Sequence, residues 1–144
     1  MAWREYRQAD RQRLTEFLAK NEWGHVGFSS RFRESSKPSP LQTIYIWKPP
    51  HSHGVHEAVL YSQGLVIPVF AEEGPHEIHD FQKLFFSRRP QKKIDTVMGL
   101  RRDVEAMQRL LEPPVRASLT YHTMVLTEPP ELNTAYDRIE CKRA

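Results

Sequence analysis

Three histidines and one carboxylate lie within seven residues of one another, at His51, His53, His56 and Glu57. Imidazole nitrogens together with a carboxylate oxygen suit Mn, Fe or Zn, and three such ligands leave coordination positions open for a substrate. A loop ahead of a hairpin accounts for the same residues, because polar side chains gather in such loops whatever the function. The segment is therefore compatible with a divalent-metal site and with an ordinary loop.

The spacing of His51, His53, Glu57 and Gly64 resembles the first metal-binding motif of cupins. That resemblance implies a metal ion held by His51, His53 and Glu57 between the strands of a small barrel. A cupin also needs a second motif, with a later histidine, on the strands that follow. In this chain the residues 78–85 instead repeat their apolar side chains at helical spacing, and two amphipathic helices do not belong in a small jelly-roll barrel. The metal site is therefore the alternative hypothesis.

Length and composition predict a single soluble domain. The chain has 144 residues, near the usual size of one domain, and no apolar run approaches the ~18 residues that a membrane span requires. The first thirty residues are charged throughout, without the apolar core of a secretory signal. The single cysteine, Cys141, cannot form an internal disulfide. We expect a cytoplasmic protein with no membrane partner.

Basic residues cluster at 88–93 and again at Arg101 and Arg102. A nucleic-acid surface normally interleaves basic residues with exposed aromatic side chains or presents a recognition helix, and the sequence has neither pattern. A solvated loop followed by the start of a helix explains both clusters. We therefore expect no nucleic-acid partner.

The first half of the chain predicts a strand and a helix, followed by strands. Trp3 to Arg7 alternates large and charged side chains, as a half-buried strand does, and Asp10 can cap a helix from about Arg11 to Asn21. Residues 23–32 predict a second helix or an irregular segment, and residues 34–40 a mobile loop.

A strand over 43–47 ends at two prolines, because proline cannot donate to a strand ladder. A hairpin follows, in which Gly64 provides the positive φ angle of the turn between strands at 57–61 and 65–70. The second half predicts helix, strand, helix and strand over 78–85, 94–98, 104–111 and 119–126. We expect one domain over 1–127 and a polar tail or linker over 128–144.

The order of these elements predicts an α+β fold of layered α/β type, with a mixed, mostly antiparallel twisted sheet flanked by about four helices. This order resembles the GNAT family of acyl-CoA-dependent N-acetyltransferases. In that family a first strand and two helices precede an antiparallel meander, and two further helices alternate with the closing strands. The resemblance is carried by Tyr6–Asp10 with Leu14, by Glu57–Phe70 and by Val97–Glu105. More narrowly, these segments are similar to the GNAT-like amino-terminal half of bacterial proteins whose other half is a second GNAT domain.

The resemblance implies an acetyl-CoA loop after the central strand, at Val69, Phe70, Ala71 and Gly74. In a family enzyme this loop carries an arginine or glutamine and two spaced glycines, and its amides bind the pyrophosphate at a helix start. This chain has one glycine there, a proline without an N–H, and three carboxylates between positions 72 and 77 that repel a polyanion. We therefore expect a degenerate site that binds acetyl-CoA weakly or not at all, in a domain with a structural or partner-binding role.

An intact site would transfer an acetyl group to an amine. The amine must lose a proton to a base such as a carboxylate or histidine, and a tyrosine can protonate the leaving thiolate. Glu57 and Tyr121 are the candidate catalytic residues, with His122 next to Tyr121. Structural roles explain these residues as well, because rings on strands commonly pack and hydrogen-bond through their polar atoms.

A domain that has lost its cofactor can still cover a partner, and we expect a second GNAT domain or a second copy of the chain. We expect the aromatic residues Trp23, Trp47, Phe85 and Phe86 to be exposed and to supply apolar contact area. Adjacent helix positions point about a hundred degrees apart. We therefore expect one of Phe85 and Phe86 to remain available for the partner.

Overall fold

A computed structural model describes residues 3–20, 22–34, 42–87 and 93–111. The strands within these ranges are β1 (Trp3–Glu5), β2 (Gln42–Trp47), β3 (Glu57–Ser62), β4 (Leu65–Val69) and β5 (Thr96–Val97). The α-helices are α1 (Arg11–Ala19), α2 (Val26–Glu34), α3 (Ile78–Phe85) and α4 (Arg101–Leu111), and short 3-10 helices span Gln8–Asp10 and Glu22–His25. The described part of the chain is thus an α+β domain, as predicted.

The five described strands form one open sheet in the order β1-β2-β3-β4-β5. The first four strands pair antiparallel, and β5 pairs parallel with β4. The predicted hairpin is confirmed: β3 and β4 are joined by a two-residue turn in which Gln63 and Gly64 have φ angles of 47° and 90°. Positive φ at both central positions matches the right-handed twist of the flanking strands.

The ladder between β4 and β5 is short because of Pro68. The amide of Met98 donates to the carbonyl of Val66 over 3.0 Å, so the backbone of Val66 faces β5. Pro68, two residues further along β4, faces the same way and has no N–H to continue the ladder. Only Leu65 and Val66 of β4 pair with β5. Beyond them the parallel pairing stops, at the β5 edge of the described sheet.

Apolar side chains bury both faces of the sheet, because residues alternate between the faces along each strand. One face, with Ile44, Ile46 and Leu60, packs against α1 and α2. The opposite face, with Tyr45 and Val59, packs against α3 and α4. The helices contribute Leu14, Leu18, Phe28 and Phe32 on the first side and Phe81, Phe85, Met107 and Leu110 on the second.

Asp10 does not cap α1 as predicted. Its side chain makes no capping hydrogen bond to that helix, because a 3-10 turn over Gln8–Asp10 precedes it and directs the carboxylate backwards. There it accepts two hydrogen bonds from the Arg4 guanidinium, at 2.7 and 2.5 Å, and one from the Arg7 amide at 2.9 Å. Arg4 holds the pKa of the Asp10 carboxyl below its usual value, so this ion pair joins β1 to the start of α1.

Several element boundaries differ from the predicted ones. The first strand ends at Glu5, two residues early, and β5 is limited to Thr96–Val97. The predicted strand over 119–126, the tail over 128–144 and all but the first residue of the predicted loop over 34–40 lie outside the described residues. Within the described ranges, no helix has the length and apolar character needed to span a membrane.

Candidate functional site

Glu57 is the most enclosed charged side chain of the described residues. It begins β3, pairs in register with Trp47, and is 0% exposed. Its carboxylate accepts hydrogen bonds from the backbone amides of Ala71 at 3.0 Å and His76 at 2.8 Å. Burial raises the pKa of this carboxyl, and the amides of His76 and Ala71 partly offset the increase.

The imidazole of His76 completes the surroundings of that carboxylate. Its Nδ1 lies 3.1 Å from Glu57 Oε1, and its ring stacks on Trp47 with centroids 4.3 Å apart and planes 4° apart. The indole N–H of Trp47 donates to Glu77 Oε2, and that of Trp3 donates to the carbonyl of His76, both at 2.7 Å. Two tryptophans and one carboxylate therefore fix the position of His76.

The loop between β4 and α3 wraps around Glu57. Gly74 donates to the carbonyl of Ala71 over 2.9 Å, and the Gly74–Pro75 peptide is cis. A Cβ atom at position 74 would overlap Oε2 of Glu57, so only glycine lets the backbone pass this close to the carboxylate. The amides of Ala71, Gly74 and His76 are all engaged within the protein, and Pro75 has none to offer.

A cavity of about 470 Å³ lies between this loop and the facing helices α3 and α4. Its apolar lining comes from Phe70, Ala71, Gly74, Pro75, Ile78, Ala106 and Leu110, and its polar lining from Glu72, His79, Gln82, Arg102, Asp103 and Arg109. This volume lies within the range of small-molecule binding sites. The cavity therefore combines an apolar wall with charged groups of both signs.

Asp103 is the buried charge of the cavity. It is 1% exposed, and its Oδ2 has no hydrogen-bond partner among the described residues. Oδ1 lies 3.6 Å from Nε of Arg102, and both that guanidinium and the Phe70 amide act to lower the pKa of the carboxyl. Burial is the main reason that the pKa of Asp103 rises to about 6, and the nearby Glu57 adds to the increase.

The residues of the predicted acetyl-CoA loop differ in their surroundings. Val69 and Phe70 are 2% and 3% exposed and belong to the two apolar cores. Phe70, Ala71 and Gly74 line the cavity. Tyr121 and His122 lie outside the described residues. Glu57, the other candidate catalytic residue, lies beneath the loop with its oxygen atoms engaged by Ala71 and His76.

The alternative metal site is not assembled. Across residues 3–20, 22–34, 42–87 and 93–111, no group of three His, Cys, Asp or Glu side chains is placed to hold a metal ion. His51 and His53 are exposed, whereas Glu57 is buried under the loop. The physical reason is that the Glu57 side chain points toward the 71–76 loop, where its carboxylate oxygens accept hydrogen bonds from backbone amides.

Asp103 is not among the functional residues predicted from the sequence, although the sequence contains a signal for it. Asp103, Met107 and Leu110 recur at the i, i+4 and i+7 positions of one helix face. The apolar members of that face are buried in the core, so the spacing indicates a buried carboxylate on the same stripe. His76 had no comparable signal, because its partners Trp3, Trp47 and Glu57 are distant in sequence.

Fold and site together define an open-sheet α+β domain with a charged cavity between α3 and α4. No family model, curated protein or solved structure matches the chain.

Proposed function

We propose that this chain is a GNAT-like domain that does not use acetyl-CoA and serves a structural or partner-binding role. The observation that carries the proposal is the engagement of the loop amides after β4. Those of Ala71 and His76 bind the buried carboxylate of Glu57, and that of Gly74 binds the Ala71 carbonyl. A diphosphate needs free N–H groups at this position, and three of them already have partners.

The GNAT part of the proposal is supported by the order of the elements. Two helices separate β1 from β2, an antiparallel meander follows, and α3 connects β4 to a parallel β5. The parallel ladder stops after Val66, where Pro68 has no N–H. An open sheet with a short parallel ladder to β5 agrees with the resemblance found in the sequence, whereas a closed barrel would have agreed with a cupin.

The electrostatics of the loop support the loss of acetyl-CoA binding. Glu72 and Glu73 are exposed on the loop, and Asp103 lies in the adjoining cavity. Arg102 and Arg109 also line the cavity, but the carboxylates beside them offset their attraction for a polyanion. The residues present do not fit the pyrophosphate of acetyl-CoA.

The partner-binding part of the proposal depends on Phe86. Of the four aromatic residues considered, Trp47 and Phe85 are buried at 6% and 0% exposure, so the expectation that they form a contact surface is wrong. The side chain of Trp23 lies outside the described residues. Phe86, just after the end of α3, is 42% exposed, and Ile78, at the start of that helix, is 37% exposed. These side chains provide apolar contact area for a second domain or a second copy of the chain.

Isothermal titration calorimetry with acetyl-CoA tests the central point. We expect no saturable heat when acetyl-CoA or free CoA is titrated into the chain at millimolar concentration. Saturable binding with a micromolar Kd would overturn the proposal, and acetyl transfer to a panel of primary amines would then establish an enzyme.

A further inference from the structure

We propose that the cavity between α3 and α4 binds a small zwitterion of the amino-acid type, with its ammonium group on Asp103 and its carboxylate on Arg102. This inference does not depend on the loss of acetyl-CoA binding, because it concerns a different ligand and different contacts.

The cavity contains a buried carboxylate, that of Asp103. Its side chain is 1% exposed, and its Oδ2 has no hydrogen-bond partner among the described residues. A buried carboxylate oxygen without a donor is costly, so buried polar atoms are nearly always paired. Because Asp103 lines the cavity, a ligand placed there can supply the missing donor. An ammonium group provides both the N–H donors and a compensating positive charge.

The guanidinium of Arg102, beside Asp103, can bind the carboxylate of the ligand. Nε of Arg102 lies 3.6 Å from Oδ1 of Asp103, and the Arg102 side chain is 51% exposed. Its outer N–H groups can therefore turn toward a ligand while the inner side of the group stays near Asp103. A carboxylate is the anion whose two oxygens match a guanidinium.

The cavity disfavours ligands that carry only a positive or only a negative charge. A simple anion would meet Asp103 and Glu72, and a simple cation would meet Arg102 and Arg109. A molecule with a cation and an anion a few bonds apart complements both kinds of group. His79 also lines the cavity, on α3, opposite the charges of α4.

The apolar side of the cavity can bind an aliphatic part of the ligand. Phe70, Ile78 and Leu110 form an apolar wall, and Ile78 is 37% exposed. An aliphatic side chain on the ligand would cover this wall and gain the free energy of apolar burial. A cavity of about 470 Å³ has room for such a molecule. L-Leucine has all three required features and is the first probe.

The experiment is calorimetric titration of L-leucine and of three analogues into the full chain. N-acetyl-L-leucine lacks the cationic amine, L-leucinamide lacks the carboxylate, and isopentylamine retains the amine and the aliphatic chain alone. We expect saturable binding of L-leucine and a loss of affinity of about tenfold or more for each analogue, as is typical of a charged hydrogen bond.

Two variants locate the binding. Asp103→Asn keeps the shape of the side chain and removes its charge, and Arg102→Gln removes the guanidinium from a side chain that is 51% exposed. Each is expected to weaken L-leucine binding about tenfold or more. Glu105→Gln is the matched control on the same helix, because the Glu105 side chain is 50% exposed and pairs with Arg101 rather than lining the cavity. It should bind L-leucine as the unmodified chain does.

Any one of three results would overturn the proposal. The first is the absence of binding for L-leucine, L-methionine and L-phenylalanine up to about 10 mM, weaker than specific small ligands bind. The second is equal binding of isopentylamine or N-acetyl-L-leucine, which would identify a site for a single charge. The third is unchanged L-leucine affinity in Arg102→Gln, a variant whose folding is checked by circular dichroism.

Discussion

Oε1 of Glu57 and Nδ1 of His76 lie 3.1 Å apart, between the first residue of β3 and the loop that precedes α3. The same carboxylate accepts hydrogen bonds from the backbone amides of Ala71 and His76, so one buried side chain shapes the turn after β4. The turn then forms one wall of the cavity that Asp103 lines. Glu57 therefore has a positioning role, and its oxygens already have partners.

Glu57→Gln is expected to lower the free energy of unfolding by about 1–3 kcal/mol. Glutamine has the same shape, but its NH₂ group would face one of the two backbone amides that now donate to the carboxylate. Urea unfolding followed by circular dichroism measures the change. Glu73→Gln is the control, because that side chain is 70% exposed, and its effect should stay within about 0.5 kcal/mol. Equal effects of the two variants would contradict the role of Glu57.

Gly74→Ala is expected to destabilise the fold by about 1–3 kcal/mol, the usual cost of an added methyl in a packed interior. The new Cβ would overlap Oε2 of Glu57. Gly54→Ala is the matched control, because its Cβ would have Ser52 Oγ at 3.9 Å as its nearest contact, and little change is expected there. Thermal unfolding compares the two, and a Gly74→Ala protein as stable as Gly54→Ala would refute the close approach.

Asp103 should make stability depend on pH. Its pKa is raised from 3.8 to about 6 in the folded chain, so the folded state holds this proton more tightly than the unfolded state. The contribution of Asp103 to the free energy of unfolding is therefore most favourable below pH 3.8. It decreases as the pH rises to about 6, by about 3 kcal/mol at most. Among the described residues, the other charged or titratable groups around it are Arg102, Arg109, Glu57, Glu72 and His79.

Asp103→Asn removes that titration. The free energy of unfolding of the variant, minus that of the unmodified chain, should increase between about pH 4 and pH 7. Urea unfolding at several pH values gives this difference directly, and it cancels the opposite contribution of Asp10, whose pKa is lowered. A difference that stays constant over this range would show that Asp103 does not titrate there.

Phe86→Ser is expected to weaken association between copies of the chain without loss of folding. Phe86 is 42% exposed, so most of its burial on association would come from the partner. Sedimentation velocity over a concentration series measures the association. Val26→Ser is the control, because Val26 is 54% exposed and begins α2, on the other side of the sheet. Identical sedimentation of the unmodified chain and Phe86→Ser would remove Phe86 from the interface.

Local patterns were enough to predict most elements of the fold. The β-branched and aromatic run at 43–47 gave β2, the turn at Gln63 and Gly64 gave the hairpin, and apolar spacing gave α3 and α4. These features depend on neighbouring residues, because strand and helix periods are properties of contiguous sequence. The prediction that Asp10 caps α1 was wrong, because its carboxylate binds the guanidinium of Arg4 instead of the amides of that helix.

The amino-acid sequence by itself determined the order of most strands and helices, the α+β class, and a loop after β4 that contains a proline without an N–H and three carboxylates. The tertiary structure alone decided that the Glu57 carboxylate binds the loop amides, and that Oδ2 of Asp103 has no hydrogen-bond partner among the described residues around the cavity. The physical reason is distance along the chain. Glu57 meets Ala71 and His76 from 14 and 19 residues away. Such contacts depend on how β3, the loop and α4 pack, which no periodicity encodes.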